Sequence, residues 1–198
     1  EQYFGTFNFT ALNIDLRKYQ RIKPVTVAAR VYSYMRMGDD ADRLYNMYIG
    51  YPYMIRGFEA NSFGPNSMIG FNDLSGSKMV VGNLELRLPF TGPEKLAVIP
   101  SGLLFSDLNL FIDGGLAWRN GSTIRWKKTD ADKVSEVIDG VTYTGYDPNV
   151  TMPVFSAGVS LRVNLFGAMI LEPYYAIQLN NPTRDKFGTF GLNFAPGW

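Results

Sequence analysis

The sequence contains no cysteine and no histidine. Without cysteine there is no disulfide framework and no thiolate metal site. Without histidine the commonest general base and the commonest metal ligand are missing together. Histidine-based hydrolytic triads and most zinc sites are thereby excluded. No metal or other cofactor is expected, and the chain is not expected to be an enzyme. Net charge is scarce as well: 19 basic and 18 acidic side chains leave +1, which argues against nucleic acid as a partner. No run approaches the about 20 consecutive apolar residues of a membrane helix, and the mean hydropathy is −0.08. Strands of a membrane barrel alternate instead of running apolar, so their use as spans stays open. The opening residues, EQYFGTFNF, lack the basic and apolar regions of a signal peptide. They begin mid-pattern and read as a processed N-terminus or as the edge of a longer chain.

What is abundant is glycine, with 20 residues, and aromatic side chains, at 15%. The apolar residues recur with period two, the mark of strands. Phe155, Ala157, Val159, Leu161, Val163 and Leu165 share one face, against Ser156, Gly158, Ser160, Arg162 and Asn164. Met169, Leu171, Pro173, Tyr175 and Ile177 alternate with Glu172, Tyr174 and Gln178, and Leu84, Leu86 and Leu88 with Asn83, Glu85 and Arg87. Leu108, Leu110 and Ile112 oppose Asn109, Phe111 and Asp113, and Val25, Val27 and Val31 oppose Thr26 and Arg30. The C-terminus, FGLNFAPGW, sets Phe190, Leu192, Phe194 and Trp198 against small or polar residues. In the first segment the apolar phase shifts from Phe7 and Phe9 to Leu12, Ile14 and Leu16, which predicts a bulge near Ala11 or a break into two elements.

A soluble β-sandwich would alternate too. Against it, the apolar faces carry almost no charge, while the opposite faces hold arginine, aspartate, glutamate and asparagine, as a polar lumen with paired charges would. The aromatic end resembles the C-terminal assembly signal of outer-membrane barrels, formed here by Phe190, Leu192, Phe194 and Trp198. The fold expected is an all-β, antiparallel transmembrane β-barrel with about seven or eight strands in this chain. It is either a small barrel or the C-terminal part of a larger one. A single domain, 1–198, is expected, with long loops at 37–78 and 119–151; loops of such length are usually functional.

Four motifs carry a family resemblance. They are IRGFE (Ile55–Glu59), GNLELRLPF (Gly82–Phe90), LFIDGGLAW (Leu110–Trp118) and SAGVSLRVN (Ser156–Asn164), followed by a penultimate strand and an aromatic end. In this order the chain resembles the C-terminal half of the barrel of the BamA/TamA superfamily, the bacterial surface antigen family. The resemblance implies an integral protein of the Gram-negative outer membrane, surrounded by lipid, that takes part in outer-membrane protein assembly or protein translocation. Its implied partners are client outer-membrane or secreted proteins, with other subunits or an N-terminal periplasmic region. A non-catalytic scaffold or a pore subunit of a larger complex is the alternative.

The resemblance also implies a site. The signature of Arg56, Gly57 and Phe58 belongs to a long loop folded into the lumen, and its arginine meets the acidic residue of the third motif, Asp113. The residues themselves agree: Asp113 shares the polar face with Phe111, a surface for a guanidinium, and with Gly115, which leaves room for a close approach. Glu85 is a second candidate acceptor. An ordinary exposed loop arginine and an aspartate facing lumen water remain open at this point. Tyr45, Tyr48, Tyr51 and Tyr53 read as loop packing or as a recognition patch, and Trp118, Trp126 and Trp198 as interfacial anchors. The run Arg125, Lys127 and Lys128 reads as a solvated loop face. Pro196 and Gly197 are expected to weaken the last strand.

Overall fold

The computed structural model describes residues 7–59, 63, 67–102, 104–139, 141–167, 169–181 and 188–196. Its frame is one antiparallel sheet of long strands: β1 (Thr10–Ile22), β2 (Val25–Met37), β3 (Lys78–Gly92), β4 (Phe105–Trp118), β5 (Val154–Leu165), β6 (Met169–Gln178) and β7 (Thr189–Pro196). Each pairs with the next in sequence order, so the sheet is a meander. Among the described residues β1 and β7 are its two edges and do not pair with each other. The short connections, Lys23–Pro24 and the turn at Phe166–Gly167, lie at one end, where β3 finishes and β4 begins; β2, β4 and β6 run out at the other.

The sheet is inside out relative to a soluble protein. Leu110 and Ile112 are each 54% exposed, while their neighbours Asn109 and Asp113 are 0% exposed. The same inversion holds where Leu84 and Leu86 flank the buried Glu85, and where Val159 flanks the buried Ser160. Because successive side chains point to opposite faces, one register places the rows of Leu84 and Leu86, of Leu110 and Ile112 and of Val159 outside and Glu85, Asn109, Asp113 and Ser160 inside; Lys18, in phase with Leu16 on β1, is an exception. A water-soluble sandwich would bury the first set; a barrel wall exposes it. Phe190, Leu192 and Phe194 continue the outward row on β7. Trp198 and Gly197 lie outside the described residues.

Two expectations need correction. β1 pairs with β2 without interruption from Thr10↔Met37 to Ile22↔Val25, so there is no bulge near Ala11 and no break into two strands. Phe7 and Phe9 precede the strand, and the phase shift marks its start. The register shift falls elsewhere, between Pro89 and Thr91 on β3, where proline has no N–H to give the ladder. The second long loop also contains regular structure that its sequence pattern does not announce. Lys133–Ile138 and Val141–Tyr146 form a hairpin, and Val150–Thr151 returns in parallel beside Thr123–Ile124.

The hydrophobic core is built by the other long loop. Ile49, Ile55, Phe58, Ile69 and Leu74 pack against Met79 and Val81 of β3, Ala117 of β4 and Val154 of β5. A 3-10 turn at Phe71–Leu74 and a two-residue ladder between Met47–Tyr48 and Ser75–Gly76 give the loop a fixed backbone. The described parts of segment 38–77 therefore pack on the polar side of the sheet at its long-loop end and carry the signature arginine with them.

Candidate functional site

Arg56 sits between two anchors. Ile55 and Phe58 are both fully buried in the loop core, and the chain turns on itself at Tyr51, whose carbonyl accepts from Met54 N at 2.8 Å and Ile55 N at 3.0 Å. Gly57 then takes φ +88, a left-handed value that costs glycine little and other residues more. The loop's carbonyls are met by side chains of the wall, as buried backbone oxygens must be. Asn83 Nδ2 donates to Met54 O at 2.8 Å, Gln178 Nε2 to Gly57 O at 2.7 Å and Arg30 Nη1 to Tyr53 O at 3.0 Å. Within the loop, Tyr48 Oη donates to Phe58 O at 2.7 Å, and burial pushes this phenol up to about 12.

The guanidinium is held on every side. Its Nε and Nη2 grip Asp113 in a fork, at 2.7 Å to Oδ2 and 2.8 Å to Oδ1, and the Arg56 backbone N–H donates to Oδ2 at 3.1 Å. Nη2 also lies 2.8 Å from Glu85 Oε1, and Nη1 donates to Glu172 Oε1 at 2.9 Å. The Phe111 ring lies beneath, 3.7 Å from its centroid to Cζ. Arg56 is 3% exposed. Burial works against its charge, but the surrounding carboxylates more than offset this and hold the guanidinium above its ordinary value.

The carboxylates are supported in turn. Asn83 Nδ2 donates to Asp113 Oδ1 at 2.8 Å, and Ser160 Oγ to Glu172 Oε1 at 2.7 Å. Arg87 and Arg162 reach Glu85 at 2.6 and 3.6 Å. Three arginines thus face three acids, and the node is neutral as a whole. That balance is what permits ions to be buried here, since an isolated buried charge costs several kcal/mol, about as much as a domain can spare. The node contains no base–nucleophile pair and is suited to holding a segment in place.

Arg56, Asp113, Phe111 and Glu85 therefore lie together. Glu85 is not an alternative to Asp113 but a simultaneous partner. Gly115 has a different use from the one expected: a Cβ there would collide with Cδ1 of Ile55, so the room it leaves is taken by the loop's apolar anchor. Glu172 is a partner beyond the two expected acceptors, reached from the polar face of β6. Tyr174 belongs here too, packing edge-on against Phe111 at 6.4 Å and donating its hydroxyl to Glu59.

A second buried pair lies nearer the loop end. Lys128 Nζ donates to Asp73 Oδ2 at 2.8 Å, with both side chains almost fully buried. Lys128 is thus not on a solvated face, while Arg125 and Lys127 are exposed. Three of the four tyrosines form one cluster: Tyr48 stacks on Phe71 at 5.1 Å and meets Tyr51 edge-on at 5.3 Å, and Tyr51 stacks on Tyr53 at 5.5 Å. Tyr45, 99% exposed, lies outside it. Trp126 is exposed and Trp118 partly buried.

Gly57→Val tests the local geometry. A Cβ at this position would lie 2.9 Å from the Ala176 Cβ, in a backbone conformation that β-branched residues avoid. The expected cost is about 1–3 kcal/mol, seen as faster proteolysis of segment 51–59 with the sheet intact.

The family model of the Omp85 superfamily domain matches residues 1–197, whereas no curated protein matches the chain. Omp85 proteins are non-enzymatic outer-membrane β-barrels of Gram-negative bacteria that work in protein assembly and translocation with lipid and client proteins around them. With the inside-out sheet and the four motifs in their order, this match means that the chain belongs to the Omp85 superfamily.

Proposed function

We propose that this chain lies in the Gram-negative outer membrane, with its apolar faces in lipid, and takes part in the assembly or translocation of other outer-membrane proteins. The observation that carries the reading is the buried Arg56 node. It fixes the signature loop against the inner face of the wall, where it occupies lumen space. A passive pore would keep that space open. In this reading Arg56, Gly57, Phe58, Asp113, Phe111, Gly115 and Glu85 set the loop's conformation, joined by Glu172. Phe190, Leu192 and Phe194 of β7, with the terminal residue Trp198, are the signal by which the chain is itself recognised for assembly. The partners are client barrels or secreted chains, and no bond is made or broken in the process.

Depletion in the native cell, followed by outer-membrane proteomics, tests the role. Broad loss of barrel proteins supports it; an unchanged profile leaves a scaffold or pore. The lipid contact has its own test. Leu110→Arg would place a charge on the outward face of β4, at an expected cost of about 2–4 kcal/mol if that face meets the middle of a bilayer. Urea unfolding in lipid vesicles measures it, and no change would mean that the face does not meet hydrocarbon.

A further inference from the structure

On the short-turn side of the Arg56 node, the polar face of the sheet borders a cavity of about 620 Å³. This lies within the range of about 300–1,000 Å³ typical of ligand sites. Its walls carry Arg17, Arg21, Arg30, Arg87 and Arg162, and Arg56 forms its loop-side limit. Acidic side chains are fewer, and two of them are shared. Asp15 accepts from both Arg17 and Arg30, at 2.8 and 3.0 Å. Glu85 serves Arg87, Arg162 and Arg56 together. Asp107 and Glu172 are the further acids on the wall, Glu172 being held by Arg56 and Ser160.

A guanidinium has five N–H donors and no acceptor, so carboxylates divided in this way leave donor capacity facing the cavity. The side chains of Arg87 and Arg162 are 22% and 18% exposed, so they are held in place yet reachable by a ligand. Glu85 and Asp15 show what chemistry these guanidiniums accept, namely planar carboxylates taken by a fork of N–H groups. Two amide side chains share the wall: Asn164 accepts from Gly167 N through Oδ1, and Asn193 donates to Glu172 through Nδ2, which leaves the Asn164 NH2 group and the Asn193 carbonyl to meet a peptide backbone.

We infer that this cavity binds an acidic peptide segment, seating its carboxylates among Arg21, Arg87 and Arg162. The segment enters from the end of the sheet where the short connections lie. The inference rests on the cavity and its arginines and does not need the assembly role. It is tested on the purified full chain in detergent micelles, with a labelled aspartate-rich peptide followed by fluorescence anisotropy. The same peptide with asparagine in place of aspartate is the control, and inorganic phosphate is a competitor.

The acidic peptide is expected to bind, and to bind less tightly as salt rises, while the asparagine peptide does not. Arg87→Gln combined with Arg162→Gln is expected to weaken binding at least about tenfold, a difference of ~1.4 kcal/mol. Those two arginines also balance Glu85, so Arg21→Gln serves as a second variant. Arg21 bonds the Thr26 hydroxyl at 3.3 Å, outside the buried node, and its loss is expected to weaken binding several-fold with heat-modifiable folding unchanged. Equal binding of both peptides, or wild-type affinity in Arg21→Gln, would overturn the inference. So would binding of phosphate without binding of the peptide.

Discussion

Arg56→Glu is expected to be the most damaging single substitution inside the sheet. It removes the cation shared by Asp113, Glu85 and Glu172 and sets a fourth carboxylate among them. Breaking a buried pair costs about 3–5 kcal/mol, and the added repulsion puts this variant at or beyond the upper end. Asp113→Asn should lie nearer the lower end, because the amide oxygen still accepts from Arg56 while Glu85 and Glu172 keep their hold. Exchanging the two residues restores the sign of the pair without restoring the node. Glu85 and Glu172 would then surround an acid on the loop, so the double variant is expected to stay well below wild type. Loss of heat-modifiable gel mobility, a lower urea midpoint in lipid and protease cleavage within 51–59 are the readouts. The effect should depend little on salt, since screening acts weakly on buried pairs. If Arg56→Glu unfolds at the wild-type midpoint with the loop equally protected, the node does not hold the loop.

How far the sequence discloses this arrangement differs from element to element, for physical reasons. The strands were legible because the two environments differ so sharply: each residue of β5, from Val154 to Leu165, faces either an apolar or a polar surround, and a one-residue slip would invert all of them. Phe7 and Phe9 misled because aromatic residues just outside a strand can mimic its phase. The Arg56–Asp113 contact was legible through the resemblance, and the shared face of Asp113 and Phe111 gave it independent support. Glu172 joins from a strand 116 positions away in sequence, and its neighbours Pro173 and Tyr174 drew attention to packing instead of charge. The hairpin of 133–146 is not legible because its described side chains, Tyr146 apart, are exposed on both faces; with no buried side there is no alternation to read. Its one signal was the Asp139-Gly140 pair, a common hairpin dipeptide. Lys128 was misplaced because a basic run suggests solvent, and nothing near it in the chain announces Asp73.

Asp73→Ala is expected to have the second-largest effect, through the other end of the loop. The Asp73 carboxylate accepts from Lys128 Nζ at 2.8 Å, Gly70 N at 2.9 Å and Met152 N at 3.2 Å, so one side chain ties segment 38–77 to segment 119–153. Its removal strands a buried ammonium, the buried Met152 N–H and the partly buried Gly70 N–H, at about 3–5 kcal/mol. Lys128→Met keeps the stem volume and removes the charge, leaving Asp73 its two backbone donors, and should cost less. The burial that already pushes the Asp73 carboxyl up, against the pull of Lys128, then acts without that opposing charge, and the acid can become neutral. For an acid whose folded value is raised, stability is fully present below the unfolded value, about 3.9, and is lost as pH rises through the folded value. Lys128→Met should therefore be closest to wild type in acid and fall behind it toward neutral pH. Asp73→Asn combined with Lys128→Met removes both charges while leaving an amide oxygen for a backbone donor. It should be less damaging than the sum of its parts, by a coupling of about 0.5–3 kcal/mol. Unfolding in lipid and proteolysis of the 133–146 hairpin follow these differences. Strict additivity of the two substitutions would mean that the loops are joined by something other than this bond.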